Sequence, residues 1–232
     1  AMDETDLVIA LGARFDDRVT NNPSKFSPKA KIIHMDVDPA SIDKIIDSHI
    51  ALVGDASWVI EAIWAEYQSQ VKQRPAAQSD KQSEHLSEWW QQVNGWRKEH
   101  GLNHGLKPEA GKAILPQLAV QTLYRVTKGE AFVSSDVGQH QMFAAQYYHF
   151  DEPRRWINSG GLGTMGFGLP AAMGVQMGSP EAVVACVTGE GSFMMNMQEL
   201  STCLQYGLPI KIINLNNQAL GMVKQWQDMQ YG

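Results

Sequence analysis

The stretch from Thr188 to Val223, T-G-E-G-S-F-M-M-N-M-Q-E-L-S-T-C-L-Q-Y-G-L-P-I-K-I-I-N-L-N-N-Q-A-L-G-M-V, constrains the fold of this chain more than any other. Ala182 to Val187 reads as a strand, Gly189-Glu190-Gly191 as a tight turn, and Ser192 to about Tyr206 as a helix. A second apolar run, Ile210 to Leu215, follows Pro209 and stops at Asn216-Asn217. Strand, turn, helix, strand is a right-handed parallel crossover, so the acidic turn and the asparagine pair are expected at one end of adjacent strands. Ligands of α/β sheets bind at that end.

Those residue types allow a narrow chemistry. Glycines let backbone approach a phosphate, a helix N-terminus attracts it, and one carboxylate beside amide and main-chain oxygens suits a hard cation. A metal-bridged diphosphate satisfies all three. The alternative is a turn whose Gly and Glu serve only backbone geometry and a helix cap.

The sequence is 232 residues long and 44% hydrophobic, enough for two ordinary domains or one large one. Its net charge of −6 gives no basic footprint for nucleic acid. No apolar run approaches the roughly 20 residues that span a bilayer, and Ala1-Met2-Asp3-Glu4 lacks the pattern of a signal peptide, so a soluble cytoplasmic protein is expected. Cys186 and Cys203 have neither metal-ligand spacing nor a disulfide framework and are expected to be reduced packing residues.

From the start of the chain, Leu7 to Leu11 reads as a strand entering G-A-R-F-D-D-R-V. Lys31 to Val37 is a second strand, followed by a helix over P-A-S-I-D-K-I-I-D with Pro39 near its start. Ala51 to Val53 is a third strand, closed by Gly54-Asp55, and Asp55 caps a helix from Ala56 to Val71. In an open nucleotide-binding sheet Asp36 would accept from ribose hydroxyls, although G-x-G-x-x-G is missing; Arg14, Asp16, Asp17 and Arg18 read equally as a surface ion-pair cluster. Lys72 to Ser87 is polar and without period, hence a linker. Leu86, Trp89, Trp90, Val93 and Trp96 then stand at helical spacing as a packing face that pins the linker to a domain.

After Gly105 a helix from about Ile114 to Thr127 leads into a strand, Ala131 to Ser135, which ends in D-V-G-Q-H-Q-M. Gln139 and His140 are placed to donate to phosphate oxygens, or else to serve as a cap and a surface histidine. Beyond Trp156-Ile157-Asn158, the loop S-G-G-L-G-T-M-G-F-G-L-P-A-A-M-G holds six glycines, which mean close backbone approach to a ligand or a neighbouring helix. Met165 sits among them as gap filler or as a wedge against a ligand. The fold class is α/β: two open parallel-sheet domains of three-layer α/β/α type, residues 1–71 and 105–232, joined over 72–104 by the polar linker and the Trp-rich helix.

Taken together, G-E-G-S, Asn216-Asn217, G-G-L-G-T-M-G and D-V-G-Q-H-Q-M resemble the diphosphate-binding half of thiamine-diphosphate enzymes. L-G-M-V-K-Q-W-Q and G-A-R-F-D-D-R-V narrow the resemblance, over essentially the whole sequence, to the catalytic large subunits of bacterial acetohydroxyacid (acetolactate) synthases. It implies decarboxylation of pyruvate and carboligation to a second 2-keto acid, pyruvate or 2-ketobutyrate, in branched-chain amino-acid biosynthesis. The implied cofactors are thiamine diphosphate, Mg²⁺ and a structural FAD; the implied partners are a second subunit completing the active site and a small regulatory subunit. Glu190, Asn217 and the Ala219 carbonyl would hold Mg²⁺. Gln139, His140, Gly163, Gly189, Gly191 and Ser192 would hold the diphosphate cofactor, with Met165 as the wedge that bends it and Met222 and Val223 lining the pocket. Arg18 would receive the acceptor carboxylate and Trp226 would favour the larger acceptor. FAD would be met by Arg14, Asp16 and Val19, by Asp36 and Val37, and by Asp55 and Ala56.

Two departures qualify the resemblance. The family's metal carboxylate is aspartate in a G-D-G turn, whereas Glu190 reaches roughly 1.5 Å further. The amino-terminal domain with the cofactor-activating glutamate and the first half of the central domain do not appear in this sequence, so it reads as a fragment that alone makes no acetolactate. A pyruvate oxidase or glyoxylate carboligase shares the phosphate and metal motifs but not G-M-V-K-Q-W; a non-catalytic flavin-binding remnant is the reading from another class.

Overall fold

The computed structural model describes residues 1–72, 76–102 and 105–232, and the side chains from residue 84 onward within the second range. The chain divides into two compact units, Ala1–His100 and Gly101–Gly232. Each holds an all-parallel sheet, the arrangement expected of strands joined by crossovers.

In the first unit β1 (Leu7–Leu11), β2 (Lys31–Asp36) and β3 (Ile50–Val53) pair in that order. Leu7 lies opposite Lys31 and Ile33 opposite Ile50, so the three carboxyl ends finish on one edge. Alternation sends Ala10 and Ile32 into a cluster with Phe15 and Ile46. A short helix, α1 (Asp17–Thr20), begins at Asp16, and α2 (Ala56–Lys72) follows β3. The helix expected after Pro39 is a single 3₁₀ turn, Pro39–Ser41. Asp43 then takes φ 55° and accepts both the Ser48 amide and hydroxyl at 2.7 Å. These side-chain bonds close a loop in competition with the helix.

The stretch read as a linker is helical from Ala76, in α3 (Ala76–His100); residues 73–75 and 103–104 of that linker region lie outside the described residues. Trp89 meets Trp96 edge to face with centroids 5.8 Å apart; Trp89, Val93 and Trp96 are half-buried, and no described side chain of α3 is fully buried.

The second unit orders its strands β5-β4-β6-β7: β4 (Phe132–Ser135), β5 (Trp156–Asn158), β6 (Val184–Thr188) and β7 (Lys211–Asn214). Helices α4 (Pro116–Thr127) and α5 (Gln139–Tyr147) cover one face, through Val120, Ala144 and Tyr147 against Val133 and Val187. Helices α6 (Gly168–Gly178) and α8 (Leu200–Gln205) cover the other, through Leu169, Ala172 and Cys203 against Val184 and Cys186. This is the expected three-layer arrangement, and β6 is buried along its whole length. Both cysteines are buried and unpaired.

The helix expected from Ser192 to Tyr206 is divided into α7 (Glu190–Asn196), a 3₁₀ turn (Met197–Glu199) and α8, because Asn196 leaves helical geometry at φ −133° and ψ 18°. A terminal helix, α9 (Gly221–Tyr231), follows the asparagine pair. Among the described residues no helix is long and apolar enough to cross a membrane.

Candidate functional site

From β4 the chain leaves through α5 to β5 on one side, and from β6 through α7 and α8 to β7 on the other. The two connections diverge between neighbouring strands, which opens a crevice at their carboxyl ends. A cavity of about 490 Å³ lies there, lined by Val137–His140 after β4, Gly189–Ser192 after β6, Asn216, Asn217 and Ala219 after β7, and Met165.

Three helices point their N-termini into this cavity: α5 from Gly138, α7 from Gly189 and α9 from Leu220, and none is capped by a side chain. First-turn amides and the positive ends of the helix dipoles therefore face the same space, an arrangement suited to an anion with several oxygens. Gly189 is held against the His140 ring so closely that an added Cβ would stand 2.7 Å from Nδ1. A side chain there would fill the cradle.

Oxygen ligands for a cation stand at the same place. One carboxylate oxygen of Glu190, Oε1, is buried and has no hydrogen-bond partner among the described residues. Such an oxygen costs free energy unless something pairs with it. Asn217 gives its Nδ2 to Gln139 Oε1 at 3.1 Å, and Gln139 Nε2 donates in turn to Gln225 on α9 at 3.0 Å. This fixes the amide so that Asn217 Oδ1 faces the Ala219 amide, which donates to it at 3.2 Å. Gln218, between them, takes φ 61°, a left-handed conformation seldom adopted outside glycine. Among the described residues no three His, Cys, Asp or Glu side chains gather as a metal cluster. One carboxylate with amide and main-chain oxygens, completed by phosphate, fits Mg²⁺ better than a transition metal.

His140 is buried, and its Nε2 also has no partner among the described residues. Burial pushes its pKa down, against the opposing pull of Asp136 and Glu190. The ring is thus a neutral imidazole near pH 7, with a nitrogen available to a ligand. It is not the surface histidine of the alternative reading. The Ser192 hydroxyl donates to the Val137 carbonyl at 3.2 Å, so it ties α7 to the end of β4.

Sequence reasoning overlooked Asp136. It is 1% exposed, and its carboxylate accepts from the amides of Val137 (3.0 Å), Gly166 (2.8 Å) and Gly168 (3.2 Å) and from the Thr188 hydroxyl (3.4 Å). Its signal was an acidic residue immediately after a strand and two before a glycine.

Of the remaining predicted residues, Met222 and Val223 also line the cavity. Gly163 does not, and neither does Trp226, which stands one turn beyond Met222 on α9, 54% exposed. Arg18 lies on α1 in the first unit. There, Arg14 pairs with Asp16 at 2.7 Å, as the ion-pair reading anticipated. Asp16 also caps α1, Asp36 accepts the Asp38 amide at 2.9 Å, and Asp55 accepts the Ser57 amide at 2.9 Å. Asp16 and Asp55 come after β1 and β3 and Asp36 ends β2, so these acids, with the exposed Val19 and Val37, stand toward the carboxyl ends of successive strands.

A model of the thiamine pyrophosphate enzyme C-terminal TPP binding domain matches residues 136–232, and one of the thiamine pyrophosphate enzyme central domain matches residues 1–63. The chain belongs to the thiamine pyrophosphate enzymes, and the turns after β4, β6 and β7 that line the cavity fall within the residues matched by the TPP binding domain. Within that class it is 54% identical over 230 residues to the acetolactate synthase isozyme 3 large subunit of Escherichia coli (strain K12), with 99% of this chain and 38% of that protein aligned. It is 52% identical to the acetolactate synthase large subunit of Haemophilus influenzae (100% and 38% aligned) and 45% identical to acetolactate synthase 1, chloroplastic, of Nicotiana tabacum (100% and 33%). The chain thus spans between 33% and 38% of the length of these relatives.

Proposed function

We propose that this chain is part of an acetolactate synthase large subunit and that its second unit holds thiamine diphosphate through Mg²⁺. The observation that carries the reading is the convergence of three uncapped helix N-termini and the unpartnered Glu190 oxygen on one cavity. Glu190, Asn217 Oδ1 and the Ala219 carbonyl would bind the metal, and His140, Gln139 and the amides around Gly191 and Ser192 the phosphates. The cofactor, when bound, supplies the electron sink for decarboxylation. The chain's own part is to orient it: Met165 lines the cavity with its Cε 3.8 Å from where a Cβ on Gly191 would stand, and Met222 and Val223 bring apolar surface that excludes water.

The substrates in this reading are pyruvate and a second 2-keto acid, with Arg18 as the acceptor's carboxylate anchor and Trp226 as the discriminator of acceptor size. FAD would lie along the edge formed by Arg14, Asp16, Val19, Asp36, Val37, Asp55 and Ala56. The assembly would be a cytoplasmic homo-oligomer joined by a small regulatory subunit, as expected of proteins named large subunits.

The test is titration of the complete enzyme with Mg²⁺ at fixed thiamine diphosphate, read by equilibrium binding. Glu190→Gln is expected to weaken saturation by about 10- to 100-fold, while Glu190→Asp retains it. Saturation unchanged in Glu190→Gln would remove Glu190 as a ligand. Product analysis decides the reaction: acetolactate supports the reading, whereas acetyl phosphate or tartronate semialdehyde overturns it.

A further inference from the structure

The peptide that follows Met165 is gripped from both sides by residues that line no part of the cavity. On its donor side, the Asp136 carboxylate accepts the Gly166 amide at 2.8 Å and the Gly168 amide at 3.2 Å. On its acceptor side, Asn196 Nδ2 donates to the Gly166 carbonyl at 2.6 Å. The fit leaves no space for another side chain. Gly166 has φ 85°, and an added Cβ would stand 2.7 Å from Asn196 Nδ2; at Gly168 it would stand 2.9 Å from the Asp136 amide.

Both gripping residues are anchored in elements that carry the site. Asp136 directly follows β4, two residues before the N-terminus of α5, and its carboxylate also takes the Thr188 hydroxyl just ahead of Gly189. Asn196 closes α7, the helix that Glu190 opens, and it departs from helical geometry where its side chain makes this bond. The Met165 thioether meanwhile comes within 3.8 Å of where a Cβ on Gly191 would be. Without the two grips, a methionine followed directly by glycine has many accessible positions.

We propose that Asp136 and Asn196 are positioning residues that clamp the Gly166–Gly168 peptide between β4 and α7 and so fix Met165 over the Glu190–Gly191 turn. The inference rests on the reading of the cavity as the thiamine-diphosphate site. It gives the glycine-rich loop a protein partner as well as a ligand, since its glycines are needed first to let Asp136 and Asn196 close on the backbone. Buried carboxylate–amide bonds are stronger than neutral ones, so Asp136 is the dominant grip.

The test is a double-mutant cycle on the complete enzyme, read as the dissociation constant of thiamine diphosphate at saturating Mg²⁺. Asp136→Asn turns one accepting oxygen into a donor facing donors, and Asn196→Ala removes the other grip. Each is expected to weaken binding by about 10-fold in the unaltered background. In a Met165→Ala background the same substitutions are expected to change it by less than about 2-fold, because no thioether remains to be placed. Equal losses in both backgrounds would show a purely structural role and overturn the proposal, as would variants that bind as the unaltered enzyme does. If Asp136→Asn does not fold, the Asn196 cycle decides alone, and Asn196→Ser takes its place if that variant also fails. No binding by the unaltered enzyme would instead overturn the reading of the cavity.

Discussion

The two sheets are built from similar apolar strands and end up differently buried. In the second unit β6 is buried at every position and apolar clusters cover both faces of the sheet. In the first, alternation along β1 buries Ala10 but leaves Leu7, Ile9 and Leu11 about half exposed, and α2 presents Trp58, Ile63 and Trp64 to solvent. The difference lies in what covers each face. A strand flanked by helices on both sides becomes a fixed frame from which turns can aim ligands, and the cavity sits at the end of the frame that is fully covered.

Substitutions measure that contrast. Val187→Ala, at a fully buried position, is expected to cost about 2 kcal/mol or more in denaturant unfolding, and Ile9→Ala less than about 0.5 kcal/mol. Equal losses would abolish the distinction. Gly166→Ala would force a Cβ into a left-handed backbone against Asn196 and is expected to cost about 1–3 kcal/mol; a neutral result would show that the glycine-rich loop is not held as closely as its distances say.

A smaller effect follows from His140. Burial lowers its pKa from the ordinary 6.5, so the unfolded chain takes up a proton first as the pH falls. Stability is therefore intact above pH 6.5 and declines below it, down to the folded value. Melting temperatures of the wild type and of His140→Asn are expected to converge as the pH falls from 7 toward 5; parallel curves would mean that the ring is not buried in solution. The smallest effect is chemical. Burial pushes the Cys186 thiol up to about 12, so mass spectrometry of the folded chain after iodoacetamide at pH 8 should find it unmodified.

Several features were legible because they are local. Strand runs, the Gly-Glu-Gly turn and the Asn-Asn pair each announce themselves through neighbouring residues, and Pro116 marks the first turn of α4 as proline there should. The helices α5 and α6 were hidden. The first packs too much of its circumference to show an apolar stripe. The second opens on Gly168-Leu169-Pro170, which reads as loop although proline is tolerated in a first helical turn. The polar run after Ala76 is helical although it has no apolar period, because helix propensity by itself leaves little signal.

By itself the sequence determined the class of fold, the end of the sheet where the cavity opens, and most of the candidate residues that line it, since parallel crossovers leave little freedom in where strand ends meet. Only the tertiary structure decided how those residues are held. Asp136 lies 30 positions from Gly166 and 52 from Thr188, and Asn196 lies 30 from Gly166. Contacts across such separations depend on which strands pair, and no local pattern encodes them. The turn at Glu190 is therefore readable from the chain alone as a candidate metal site, while the bonds that Asp136 and Asn196 make to the Gly166–Gly168 peptide exist only once β4, β6 and α7 have come together.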